Sequence, residues 1–162
     1  KPTFFFNHLK PLVINQYVDD RVVAYYRFNH TSAPNIKSAI IQINKHWNPE
    51  IILIEENNQG LPIIHDLKIT HKVPNIEGFK TTSTSKQEII NNLINAFASK
   101  KIRVPNDADY KSELEVFSMT ISPTGTPKFS APAPFHDDIV MSLAIAWECS
   151  NKFKYNGTYN FN

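Results

Sequence analysis

The chain is poor in the features that would tie it to thiol chemistry, a phosphate-binding loop or a membrane. Cys149 is the only cysteine, so neither an internal disulfide nor a thiolate zinc cluster can form. A lone cysteine fits a reducing compartment. No apolar run approaches the ~20 residues that a membrane-spanning helix needs. There are only 4 glycines and they form no Walker-type loop, which excludes a P-loop ATPase in this stretch. The formal net charge is only +2, so contact with nucleic acid must rest on local basic groups rather than bulk charge. The opening segment, Lys1-Pro2-Thr3-Phe4-Phe5-Phe6, is too short and wrongly followed to read as a signal peptide.

What is present suits one globular domain: 162 residues, 41% hydrophobic and 20% charged. Phe4 to Phe6, Leu12 to Val18 and Arg21 to Phe28 read as three consecutive antiparallel strands, with Asp19-Asp20 as a turn. Ser32-Ala33-Pro34 opens a helix carrying Ile36, Ile40, Ile43 and Trp47 at helical spacing, and Asn48-Pro49 ends it. Ile51 to Ile54 is a continuous apolar run, the pattern of a strand buried on both faces. Leu61 to Leu67 is expected to be a short helix, followed by a polar loop that contains Thr81 to Ser85. Lys86 to Ser99 forms a strong helix pattern, and Tyr110, Leu114 and Phe117 a shorter one. A hairpin turn at Pro123-Thr124-Gly125-Thr126 and a last amphipathic helix carrying Val140, Leu143, Ala144 and Trp147 complete the reading.

Two acidic pairs stand at positions where α/β proteins collect functional side chains. Glu55-Glu56 ends the most hydrophobic strand, and Asp137-Asp138 opens the last helix. Carboxylates that converge repel one another unless a cation shares them, and Mg²⁺ is a natural partner for oxygen ligands. Each pair also has a structural explanation, since acids in a helix's first turn are favoured by its dipole. The residues alone therefore define a carboxylate metal site as one reading and solvated element ends as the other.

His136-Asp137-Asp138-Ile139-Val140-Met141-Ser142-Leu143-Ala144-Ile145-Ala146 resembles the last motif of the nuclease domains of tailed-phage large terminases. Ile51 to Gly60 is similar to the family's middle motif, in which a buried strand delivers an acid five residues before a glycine; here that acid is Glu55. Gly78 to Lys86 is similar to the loop and helix start between these motifs. The resemblance spans roughly Phe4 to Cys149. It implies an α/β, RNase H-like mixed sheet over residues 1–150, three antiparallel strands then parallel strands, flanked by helices, with 151–162 a polar tail. It implies an endonuclease using two Mg²⁺ or Mn²⁺ ions, with Glu55 and Asp138 as metal ligands and Asp137 assisting. It also implies double-stranded DNA as substrate, cut from concatemers during packaging, and as partners an ATPase domain, a portal protein and a small terminase subunit. The resemblance further implies no membrane partner, a setting in the host cytoplasm, and a protein that is not part of the mature virion.

The family's first catalytic Asp aligns with Asn7, which offers a metal a carbonyl oxygen but no charge. An engineered substitution, divergence toward weak activity, and a true Asp lying upstream all stay open. So does a catalytically weakened domain that only binds DNA or a portal. RuvC-type junction resolvases share the fold, but carry an acid where Met141 stands, which favours the terminase reading. His136 is a candidate for orienting a carboxylate or a water, and equally a loop histidine. Lys86, Lys100, Lys101 and Arg103 are candidates for DNA contact, set against solvation and pairing with a helix dipole. Thr81 to Ser85 either binds a phosphate or caps the next helix. His30, His46, His65 and His71 show no ligand spacing.

Overall fold

The computed structural model describes residues 3–7, 12–18, 21–28, 31–57, 60–123, 125 and 127–155, with 3–7, 12–18, 28 and 152–155 described as backbone alone. The strands are β1 (Thr3–Asn7), β2 (Leu12–Val18), β3 (Arg21–Phe28), β4 (Ile51–Glu55), β5 (Ile76–Phe79), β6 (Ser118–Ile121) and β7 (Pro127–Ser130). The helices are α1 (Ala33–Trp47), α2 (Gly60–Ile69), α3 (Ser83–Ala98), α4 (Ala108–Val116) and α5 (Asp138–Tyr155).

A five-stranded sheet runs in the order β3-β2-β1-β4-β5. The pairs β1–β2 and β2–β3 are antiparallel, whereas β1–β4 and β4–β5 are parallel. The crossover needed to bring β4 beside β1 is α1, which starts with Pro34 in its first turn and stops at Asn48 in the left-handed region, φ 42°. β6 and β7 make a separate antiparallel hairpin whose turn includes Gly125 at φ 81°; Thr124 and Thr126 lie outside the described residues, as do Asp19-Asp20.

The central strand β4 divides the core by the alternation of its side chains. Ile52 and Ile54 pack with Ile40 and Leu67 under α1 and α2. Leu53 turns the other way, toward the cluster built from α3, α4 and α5. Each face of β4 is thereby covered, as its uninterrupted apolar run requires.

The structure departs from the sequence reading in three places. β5 lies inside the stretch expected as a polar loop; a short run of Ile76, Glu77, Gly78 and Phe79 carries little strand signal, and its pairing with β4 decides it. α5 is buried on every side from Ile139 to Trp147 rather than along one stripe, because it lies between the sheet and α3 and α4. The same helix continues to Tyr155, so residues 151–155 of the expected tail are helical, while 156–162 lie outside the described residues.

Candidate active site

The parallel strands β1, β4 and β5 all end at the same edge, and the start of α5 is brought there by packing against β1, β2 and β4. In an open α/β sheet the carboxyl ends of strands are where ligands are bound. Glu55 is the last residue of β4 and is 4% exposed. It has the parity of Leu53, so it faces the α3–α5 side of the sheet. Glu56 takes the opposite course: its side chain lies against Gly78 of β5, where a Cβ would come within 2.1 Å of its Oε1. Of the two neighbouring acids, only Glu55 is thus directed toward α5.

Gly60 explains the five-residue spacing. It opens α2 with its Cα pressed on the end of β4, where a Cβ would stand 1.7 Å from the Glu55 carbonyl oxygen. No other residue lets the chain turn so tightly behind Glu55. Asn57, within that turn, donates through Nδ2 to Glu55 Oε1 at 3.2 Å and to the Thr81 carbonyl at 3.0 Å. It therefore holds the Glu55 carboxylate and ties it to the segment leading into α3. That segment is itself capped: the Thr82 hydroxyl accepts from the Ser85 amide at 3.1 Å, and the Ser85 hydroxyl accepts from the Thr82 amide at 2.9 Å. Of the two readings of the Thr/Ser run, capping is the one with hydrogen bonds in the structure.

Asp138 is also 4% exposed, and among the described residues no hydrogen-bond donor reaches its Oδ2. Burial first, then the charges of Glu113 and Asp137, push its carboxyl up to about 7 from 3.8; Arg27 works against this and Glu55 adds to it. The exposed His136 imidazole stands 4.0 Å from that oxygen through Nδ1. Asp137 is half-buried and pairs with Lys86 of α3, Nζ to Oδ2, at 3.0 Å. Asn7 closes β1 one position beyond the Phe6–Ile54 pair, level with Glu55 on the neighbouring strand. Its side chain, and His8 after it, lie outside what is described.

The edge thus gathers Glu55, Asp137, Asp138, His136 and Lys86, with Asn7 placed there by register. It does not gather Lys100, Lys101 and Arg103. These are exposed at the far end of α3, about 20 Å from Lys86 at the helical rise per residue. Arg103 instead extends the sheet edge, its carbonyl accepting from the Val22 amide at 2.9 Å. His46 lies edge-on to Trp47, His71 stands 3.8 Å from Asp66, His65 is exposed, and His30 lies outside the described residues.

Two participants escaped the sequence reading. Asn57 sits two residues past Glu55, a position that could have marked it. Glu113 is 5% exposed; its Oε2 accepts from the Ile139 amide at 2.7 Å and its Oε1 is ion-paired with Arg27 at 3.0 Å. The available signal was its place three residues after Tyr110, on the buried face of α4.

Among the described residues, no three His, Cys, Asp or Glu side chains form a metal-holding group by themselves. The donor chemistry nevertheless suits a hard divalent cation. Two buried carboxylates meet at one strand edge, one oxygen is without a donor, and the surrounding negative charge disfavours ionisation unless a cation is added.

A five-stranded mixed sheet flanked by helices, with buried acids at the end of a parallel strand and at the start of a buried helix, defines an α/β fold. The fold is that of phage large-terminase nuclease domains. The large terminase nuclease of thermophilic phage G20c with bound magnesium superposes with a TM-score of 0.80 at 20% identity, covering 91% of this chain and 82% of that one. A mutant nuclease domain of the large terminase subunit of bacterial virus Sf6, with manganese, gives 0.68 at 8% identity over 90% of this chain and 87% of that one. In sequence, the chain is 36% identical over 66 residues to the large terminase subunit of Thermus phage G20c. That stretch is 41% of this chain and spans only 14% of the length of the curated relative. No family model matches the chain.

Proposed function

We propose that this chain is the divalent-metal-dependent, RNase H-like endonuclease domain of a phage large terminase. The observation that carries the proposal is the buried Asp138 carboxylate, one oxygen unpartnered, facing the charges of Glu55, Glu113 and Asp137 at the edge where the parallel strands end. The metal-bound G20c and Sf6 nuclease domains support it by their likeness in fold.

In this reading Glu55 and Asp138 hold the metal, with Asn7 at the third position and Asp137 beside them. Two Mg²⁺ or Mn²⁺ ions bound there would activate water and stabilise the leaving oxygen in phosphodiester hydrolysis. Asn57 keeps one Glu55 oxygen turned into the turn behind β4 and leaves the other for the site. Lys86 pairs with Asp137 in the free protein and in this reading would contact a DNA phosphate. Phosphate and metal contacts carry no base information, so cutting is expected to be nearly sequence-independent. The substrate is double-stranded DNA, cut from concatemers at the start and end of capsid filling in the host cytoplasm. An ATPase domain, a portal protein and a small terminase subunit complete the motor; the nuclease unit takes residues 1–150 and the helix that continues from them.

The test is nicking of supercoiled plasmid in Mn²⁺. Glu55→Ala and Asp138→Ala should abolish it, and Glu56→Ala should leave most of it. Asn7→Asp should raise it by about tenfold or more, equivalent to roughly 1.4 kcal/mol of barrier. Sharp preference for four-way junctions over linear duplex would select a resolvase instead. No cutting in either metal, even with Asn7→Asp, would leave a binding domain.

A further inference from the structure

A helix start leaves backbone N–H groups without intrahelical partners, and the usual remedy is the side chain of the residue just before it. For α5 that residue is Asp137, whose Oδ2 is engaged by Lys86 at 3.0 Å. The Ile139 amide is satisfied from elsewhere: Glu113, 26 residues upstream on α4, accepts from it at 2.7 Å. The acceptor is costly to place there. Glu113 is 5% exposed, and a buried carboxylate is tolerated only when paired and hydrogen-bonded. Arg27 of β3 supplies the pairing, 3.0 Å from Glu113 and 3.6 Å from Asp109. Anchoring α4 to β3 does not require this arrangement. The Tyr25 hydroxyl already donates to Asp107 at 2.7 Å, and the Tyr25 and Tyr110 rings meet edge to face at 5.1 Å.

We propose that Glu113, fixed by Arg27, is a positioning residue that caps α5 from outside the helix, so that Asp137 and Asp138 keep their carboxylates for the site. Its consequence for metal binding rests on the nuclease reading above. The cap clamps the peptide that follows Asp138 and sets where that carboxylate stands relative to Glu55.

The decisive variant is the double substitution Arg27→Met/Glu113→Leu, which exchanges the buried pair for apolar groups of similar volume and so should preserve the fold. Hydrogen exchange at the Ile139 amide, in metal-free protein, should accelerate on the order of tenfold or more, as expected for loss of a hydrogen bond to a charged acceptor. Mn²⁺ affinity by calorimetry should fall with it. Glu113→Gln, which retains an acceptor oxygen, should restore part of the Ile139 protection. Tyr25→Phe, which loosens α4 without touching the cap, should lower thermal stability while leaving Ile139 exchange and Mn²⁺ affinity as they were. Unchanged Ile139 exchange in the double variant, or equal acceleration in Tyr25→Phe, would overturn the proposal. A wild-type protein that neither binds Mn²⁺ nor nicks DNA would sink the nuclease reading instead, and the exchange measurement would still decide the capping role.

Discussion

Asp138 is the residue whose state depends most on what surrounds it. Burial and neighbouring carboxylates raise its carboxyl from 3.8 to about 7, and Glu113 is raised in the same direction, again chiefly by burial. A raised acid holds its proton in the folded chain and loses it when unfolded, so the stability it contributes is present below the unfolded value and is lost as pH rises through about 7. Asp66 and Asp107 are lowered, so their contribution is complete above the ordinary carboxylate range and does not oppose this trend. The melting temperature of metal-free protein should therefore fall from about pH 5.5 to about pH 8. Asp138→Asn should flatten that slope, and Mg²⁺ should raise the melting temperature more at the alkaline end, where the cation replaces the proton. A slope that Asp138→Asn leaves intact would show that another group governs it.

At the scale of elements, the site depends on how tightly β4 turns into α2. Gly60 lies so close to the Glu55 carbonyl that any side chain must displace backbone, not a flexible neighbour. Gly60→Ala should cost about 2 kcal/mol or more, toward the upper end for overpacking, because the strand end cannot yield without moving Glu55. Denaturant midpoints measure the loss, and nicking measured well below the transition should fall as well. An unchanged midpoint with full activity would mean that the turn relaxes freely. The same element argument covers α5. Its first turn is tied to Glu113 and to Lys86 on two other helices, so its position is set by α3 and α4 together rather than by its own capping residue.

At the scale of the whole molecule, the basic candidates for DNA contact fall at two separate places. Lys86 is beside the acids, whereas Lys100, Lys101 and Arg103 are at the other end of α3. With a net charge of only +2, each cluster must act locally. If the far cluster touches the DNA backbone, Lys100→Ala/Lys101→Ala should reduce the salt slope of binding by roughly one per lost phosphate contact and leave kcat alone. Lys86→Ala should instead lower kcat, since it leaves Asp137 without its cation. Equal binding by wild type and the double variant at all salt concentrations would make that end a solvated helix terminus.

Most elements were legible because their determinants are local. The buried run Ile51 to Ile54, the helical spacing of Ile36, Ile40 and Ile43, and Pro34 and Asn48 at the ends of α1 each fix an element without reference to the rest of the chain. The sequence likewise placed Glu55 at a strand end and Asp138 at a helix start. β5 was not legible, since Gly78 and Glu77 give no strand pattern and only the edge of β4 recruits them. The full burial of α5 follows from the sheet and helices enclosing it, which a stripe of apolar residues does not specify. Glu113 is not singled out by the sequence, because Arg27 and the Ile139 amide are brought to it from distant parts of the chain. Sequence periodicity determined which residues of α1 and α3 face inward; the packing of α3, α4 and α5 on one sheet decided which charged groups meet, because those meetings join residues far apart in the chain.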